Sequence, residues 1–131
     1  MSASNYLEEQ ILNAVLRGQT FPTIDTTYVA LMLTDAGEDD TGSEVSGNGY
    51  ERVSASFAEP EQDGTVSFVE NDSQVEFPEA TGTWGDIGYF AIYDSSTGGN
   101  LLFYGALNQE QTVEASQTLR FNTGEITVRI D

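Results

Sequence analysis

Apolar residues follow two periodicities along the chain, and the change from one to the other comes early. Leu7, Ile11, Ala14 and Val15 fall on one stripe at helical spacing, with Leu12 and Leu16 beside it. Asn5 followed by Glu8 has the form of a capping box, and Glu8 and Glu9 suit the positive end of a helix dipole. Arg17 suits the last turn, and Gly18 can take the left-handed cap. The spacing predicts one helix over residues 4–17. After Pro22 the pattern turns to short β-leaning runs. Thr27 to Leu33 (TYVALML) is almost continuously apolar, as a central strand should be. A long polar loop, Asp35 to Gly49, separates it from a strand over Tyr50 to Phe57, where Val53, Ala55 and Phe57 alternate with polar residues.

Glu59 to Gly64 reads as a turn. Short strands follow at Thr65 to Val69 and Gln74 to Phe77, with Asn71 to Ser73 as the turn between them. The richest apolar region is Trp84 to Leu107. Ile87 to Tyr93 and Leu101 to Leu107 flank DSSTGGN, whose Gly98 and Gly99 supply the positive φ angles of a hairpin reversal. Thr112 to Val113, Leu119 to Phe121 and Glu125 to Ile130 complete the set, the last alternating Ile126, Val128 and Ile130 with Thr127 and Arg129. No internal repeat or linker divides the chain. The expected fold is a mainly β, jelly-roll-like antiparallel β-sandwich of about eight short strands with one N-terminal α-helix, in a single domain over residues 1–131. One helix is too little to cover a sheet, so it is expected at one end of the sandwich or against a neighbouring subunit.

Charge changes this picture most. Twenty-two Asp and Glu stand against four basic residues, a formal net charge of −18, and all four bases are arginines: Arg17, Arg52, Arg120 and Arg129. Such a surplus repels itself across a small domain in dilute buffer. Near 1 M salt the Debye length is only about 3 Å, and the repulsion is largely screened. Carboxylates interleaved with β-branched and aromatic residues, in a chain without lysine, are the composition expected of a folded protein from brine rather than of a disordered acidic tail. Four scattered arginines make no basic patch, so neither nucleic acid nor an anionic membrane is an expected partner. No run approaches the ~20 apolar residues of a membrane span. The opening MSASNYLEEQ has no signal-peptide pattern, and the chain is expected to be soluble and unprocessed.

Histidine and cysteine are absent along with lysine. The usual general base, the thiolate ligand and the Schiff-base amine are therefore unavailable, and no catalytic residue, cofactor or metal site is expected. The acids Asp35, Glu38, Asp39, Asp40 and Glu44 offer oxygen ligands for a divalent cation, but without EF-hand spacing, and a solvated loop explains them better. With so many acids some carboxylate pair always falls at glycosidase spacing, and none stands out. Trp84, Tyr89, Tyr93 and Tyr104 can form an aromatic sugar-binding platform, although most aromatics in such a chain are core. Arg52 and Arg129, set among apolar neighbours, are expected to ion-pair on a sheet surface, with only sheltered pairs contributing in brine.

Two blocks carry a wider likeness: TGSEVSGNGYERVSASF (Thr41 to Phe57) and TWGDIGYFAIYDSSTGGNLLFYGAL (Thr83 to Leu107). With the opening helix, TTYVALMLTDAGED and the closing TLRFNTGEITVRID, the chain resembles small tailed-virus virion proteins of the phage tail-fibre-like or head-decoration type. Its acidity departs from the usual members and points to a haloarchaeal virus. The resemblance implies a virion location and a non-enzymatic structural role as a capsid-decoration, turret or fibre-base subunit. It also implies a homo-oligomer attached to other virion proteins. The alternative is a tail-fibre or tail-tip module that binds a host surface glycan. Expected contact residues are Leu7 and Ile11 on the helix, Trp84, and Glu44, Asn48 and Tyr50 in and beside the acidic loop.

Overall fold

The computed structural model describes residues 1–130. A two-residue strand, β1 (Ser2–Ala3), leads into α1 (Asn5–Arg17). The N-cap is Ser4 rather than Asn5. Its backbone is extended, and its Oγ accepts from the Leu7 amide at 3.1 Å, satisfying one of the donors stranded at a helix start. Tertiary contact selects it: the Ser4 hydroxyl donates to the Leu101 carbonyl, and its amide donates to the Leu102 carbonyl at 2.9 Å. Gly18 ends the helix at φ +66°, its amide bonded to the Asn13 carbonyl.

The remaining elements are β2 (Thr27–Met32), β3 (Val53–Ala55), β4 (Glu61–Asp63), β5 (Val66–Glu70) and β6 (Val75–Glu76), then β7 (Gly85–Tyr93), β8 (Leu101–Val113), β9 (Arg120–Phe121) and β10 (Thr127–Ile130). They form a five-stranded sheet in the order β1-β8-β7-β2-β3, a three-stranded sheet β10-β5-β4 and a two-stranded pair β6-β9. All pairings are antiparallel. The mainly β, sandwich-like architecture with one helix is as expected. The ten strands among the described residues differ from the expected eight or so in four places, the first being β1, which lies ahead of the helix where no strand is expected. The expected turn at residues 59–64 contains β4, which pairs with β5. The two strands expected at Leu101 to Leu107 and Thr112 to Val113 are one 13-residue strand, bent where its register against β7 shifts between Ile87 and Tyr89. Only Val53–Ala55 of the strand expected from Tyr50 to Phe57 joins a sheet.

Register divides the apolar residues between two faces of the large sheet. Val29 lies opposite Ile92 and Leu31 opposite Phe90. This face packs on Val75 of β6, on Phe77 and Ile126 just outside β6 and β10, and on Val128 of β10. The other face carries Ala30, Met32, Ala91, Tyr93 and Leu101, and the acidic loop covers it by burying Ala36. With both faces covered, β2 needs apolar side chains at nearly every position, which is why its sequence does not alternate. Tyr50 stacks near Phe77 and meets Trp84 edge-on at 5.4 Å, joining the loop to the core between the sheets.

Asn71, placed by its sequence in a turn, is buried instead. Its Nδ2 donates to the carbonyls of Ser73 (2.9 Å) and Asn122 (3.0 Å), and its Oδ1 accepts from the Ile126 amide at 2.9 Å. Every polar atom of that side chain is engaged, so its burial carries no unsatisfied group. It ties the segment before β10 to the end of β5. The C-terminal strand is held in the sheet as its alternation predicts, with Val128 opposite Val69.

Candidate functional site

The acidic loop bonds to β2 and the residue after it through its backbone, Leu33 N to the Ser43 carbonyl at 2.8 Å and Val45 N to the Leu31 carbonyl at 3.0 Å, and is clasped to the large sheet by one arginine. Arg52, just before β3, reaches Glu44 in a two-pronged ion pair, Nε to Oε2 at 3.0 Å and Nη2 to Oε1 at 2.8 Å. Its Nη1 donates to the carbonyls of Ser95 (3.0 Å) and Gly98 (2.8 Å) in the β7–β8 turn. Its guanidinium lies 3.7 Å from the centre of the Tyr93 ring. The Tyr93 hydroxyl donates to Asp40 at 2.5 Å, and Glu44 Oε2 also accepts from the Tyr50 hydroxyl at 2.6 Å. Tyr50 in turn accepts the Leu31 amide at 3.0 Å. One cation thus joins the loop, the hairpin tip and the strand entry.

The environment of this clasp decides its strength. The Arg52 side chain is 9% exposed and Glu44 24%, whereas in the Arg120–Glu76 and Arg129–Asp63 pairs every side chain is more than half exposed, at 3.6 Å. Burial raises the Tyr50 and Tyr93 hydroxyl pKa values well above the ordinary tyrosine range, and the neighbouring Glu44 and Asp40 carboxylates add to it. Burial opposes the Arg52 charge, but the bonds to Glu44 outweigh it and hold the cation more firmly than a free arginine. The clasp is a structural device. Among the described residues, no three acidic side chains gather around a point where a cation could bind.

The expected contact residues divide into two groups. Ile11 and Asn48 are exposed, and Glu44 and Tyr50 are half-buried inside the clasp. Leu7 and Trp84 are core residues. Leu7 packs on Ile92, Leu102 and Val128, and Trp84 Nε1 donates to the Asn48 carbonyl at 2.9 Å. Their burial leaves any surface contact to their neighbours. The four rings that could form an aromatic platform are not gathered in one place. Tyr93 and Trp84 are buried in separate clusters, with Tyr89 and Tyr104 packed beside the first.

Two surface features were not visible in the sequence. An open cleft of about 640 Å³ is lined by Phe90 and Phe121 together with Asn108, Gln111, Arg120 and Arg129. The helix, meanwhile, buries only Leu7 fully, leaving Leu12 56%, Val15 73% and Leu16 75% exposed. Val15 belongs to the stripe that marks the helix in the sequence and Leu12 and Leu16 lie beside it, but a stripe does not say what covers it.

Together these features define an acidic β-sandwich-like domain whose polar network serves the fold and whose helix offers an uncovered apolar ridge. The model of the family described as "Podophage GP4 fiber I protein gp80" matches residues 2–129. The chain belongs to this phage fibre protein family and is a virion component. A comparison with curated proteins finds no match.

Proposed function

We propose that the chain is a multi-copy structural subunit of a tailed-virus particle, at a fibre, fibre-base or turret position, and that it acts by self-assembly and attachment rather than by catalysis. The family match over residues 2–129 carries this reading, because it spans the whole β scaffold rather than a detachable motif. The net charge of −18 without a lysine supports operation in concentrated salt, and with it a haloarchaeal host. In such a medium exposed ion pairs are screened, and the one sheltered pair, Arg52–Glu44, retains its value. Labelling of purified particles tests the position. Label in many copies along or at the base of fibres is the expected result, and particles that lack the chain overturn it.

A second reading, recognition of a host surface glycan, draws support from the cleft. Amide and guanidinium groups beside two phenyl rings suit a polar ligand with apolar faces. Binding of host-surface polysaccharide in high salt, lost in Asn108→Ala/Gln111→Ala, is its expected signature. Equal retention by both proteins removes this reading.

A further inference from the structure

The exposed helix ridge has a counterpart on the same molecule. Between the large sheet and the β4-β5-β10 sheet runs a groove of about 280 Å³, lined by Phe57, Pro60, Phe68, Phe103, Val128 and Ile130 among others, with no charged side chain in its walls. Its Val128 also belongs to the buried cluster that Leu7 closes. The helix is therefore anchored beside the groove through its first turn, while Leu12, Val15 and Leu16 stay exposed.

Charge narrows the choice of occupant. Twenty-two of 131 residues are acidic, yet the run from Ile11 to Leu16 has no charge and neither do the groove walls. These are two surfaces through which copies of a −18 chain can meet without opposing carboxylates. Arg17 ends the ridge. It is the one arginine without a carboxylate partner among the described residues, held only by a 2.9 Å bond to Asn13. Glu59 and Glu61 flank the groove-lining Pro60 in the chain and are exposed, which makes them charge-complementary to such a cation.

We propose that α1 of one copy seats its Leu12, Val15 and Leu16 ridge in the groove of the next copy, with Arg17 against Glu59 and Glu61. The contact joins two different surfaces, so its repetition closes a ring or extends a stack. Pairing of two helices would cover the ridge alone and leave the groove in water; ridge in groove covers both at once. This inference rests on the reading of the chain as a self-assembling subunit and specifies the surface used.

The absence of cysteine allows a direct test. Leu16→Cys and Pro60→Cys chains, mixed in concentrated salt and mildly oxidised, are expected to give a mixed disulfide dimer, with little product from either chain alone. Leu12→Asn/Leu16→Asn is expected to lower the assembled fraction at least tenfold in sedimentation while leaving the melting temperature of the monomer unchanged. Arg17→Glu is expected to weaken assembly, and Glu59→Arg/Glu61→Arg to restore it. A Leu16→Cys homodimer as the main product, or no mixed disulfide, overturns the proposal. If labelled particles contain the chain but the mixed disulfide does not form, the groove contact fails and the subunit reading stands. If the disulfide forms but particles lack the chain, the virion reading fails and the contact stands.

Discussion

The helix and the central hairpin both carry apolar residues at the spacing their geometry demands, and they end in opposite situations. In the hairpin, Ile87, Ala91 and Ile92 of β7 are buried, some against the smaller sheets and some beneath the acidic loop. In α1 the apolar positions past Leu7 are only partly covered, and Leu12, Val15 and Leu16 are more than half exposed. Burial of an apolar side chain is worth about 1.5–3 kcal/mol, so the sheet draws its stability from its stripe while the helix holds that free energy in reserve for a neighbour. Apolar patterning therefore separates into a folding signal and an assembly signal only once the covering elements are known.

Substitutions can break this comparison, and Trp84→Ala should have the largest effect. It removes a core side chain packed on Tyr50 and takes one of two donors from the Asn48 carbonyl, which keeps the Thr81 amide, at an expected cost of about 3–5 kcal/mol. Val15→Ala, of equal apolar character but exposed, should stay within about 0.5 kcal/mol. Denaturant unfolding in high salt compares the two, and equal losses would mean that the helix ridge is covered within the monomer.

Arg52→Ala sharpens the contrast among charges. It strands the sheltered Glu44 and frees the hairpin-tip carbonyls, with an expected loss of about 2–4 kcal/mol that persists in concentrated salt. Arg120→Ala and Arg129→Ala remove exposed pairs and should cost no more than about 0.5 kcal/mol. Arg52→Lys should recover only part of the loss, since an ammonium cannot make the two-pronged contact.

The smallest effect concerns pH. Because Tyr50 and Tyr93 have raised pKa values in the folded state, the folded protein keeps protons that an unfolded chain gives up above about pH 10. Their contribution is intact below that pH and declines as pH rises beyond it. Tyr50→Phe should cost about 1–2 kcal/mol at neutral pH, because the Leu31 amide and Glu44 lose a partner, and should flatten the alkaline decline. An unchanged slope between about pH 10 and 11, where free tyrosine titrates, would sink this account.

Much of the fold could be read from local chemistry. Gly18 ends the helix, and the Gly98-Gly99 reversal joins β7 to β8, because a positive φ is a property of the residue itself. The non-alternating run in β2 signalled an interior strand, and β2 lies between β7 and β3. The capping role of Ser4 was hidden, since Leu101 and Leu102, some hundred residues away, select it over Asn5. Asn71 read as a turn residue because its partners Asn122 and Ile126 lie some fifty residues on, in the connection between β9 and β10. The clasp was half visible. Arg52 was expected to ion-pair, but Glu44, Ser95 and the Tyr93 ring meet it only after the loop folds over the sheet.

By itself, the sequence determined the acidic surface, the missing catalytic side chains, the single helix and the strand-rich remainder, because composition and periodicity act locally and need no partner. Tertiary structure alone decided which apolar stripe is core and which is surface, and which of four arginines is sheltered. Burial is a relation between segments distant in the chain, and no residue carries it in its own identity.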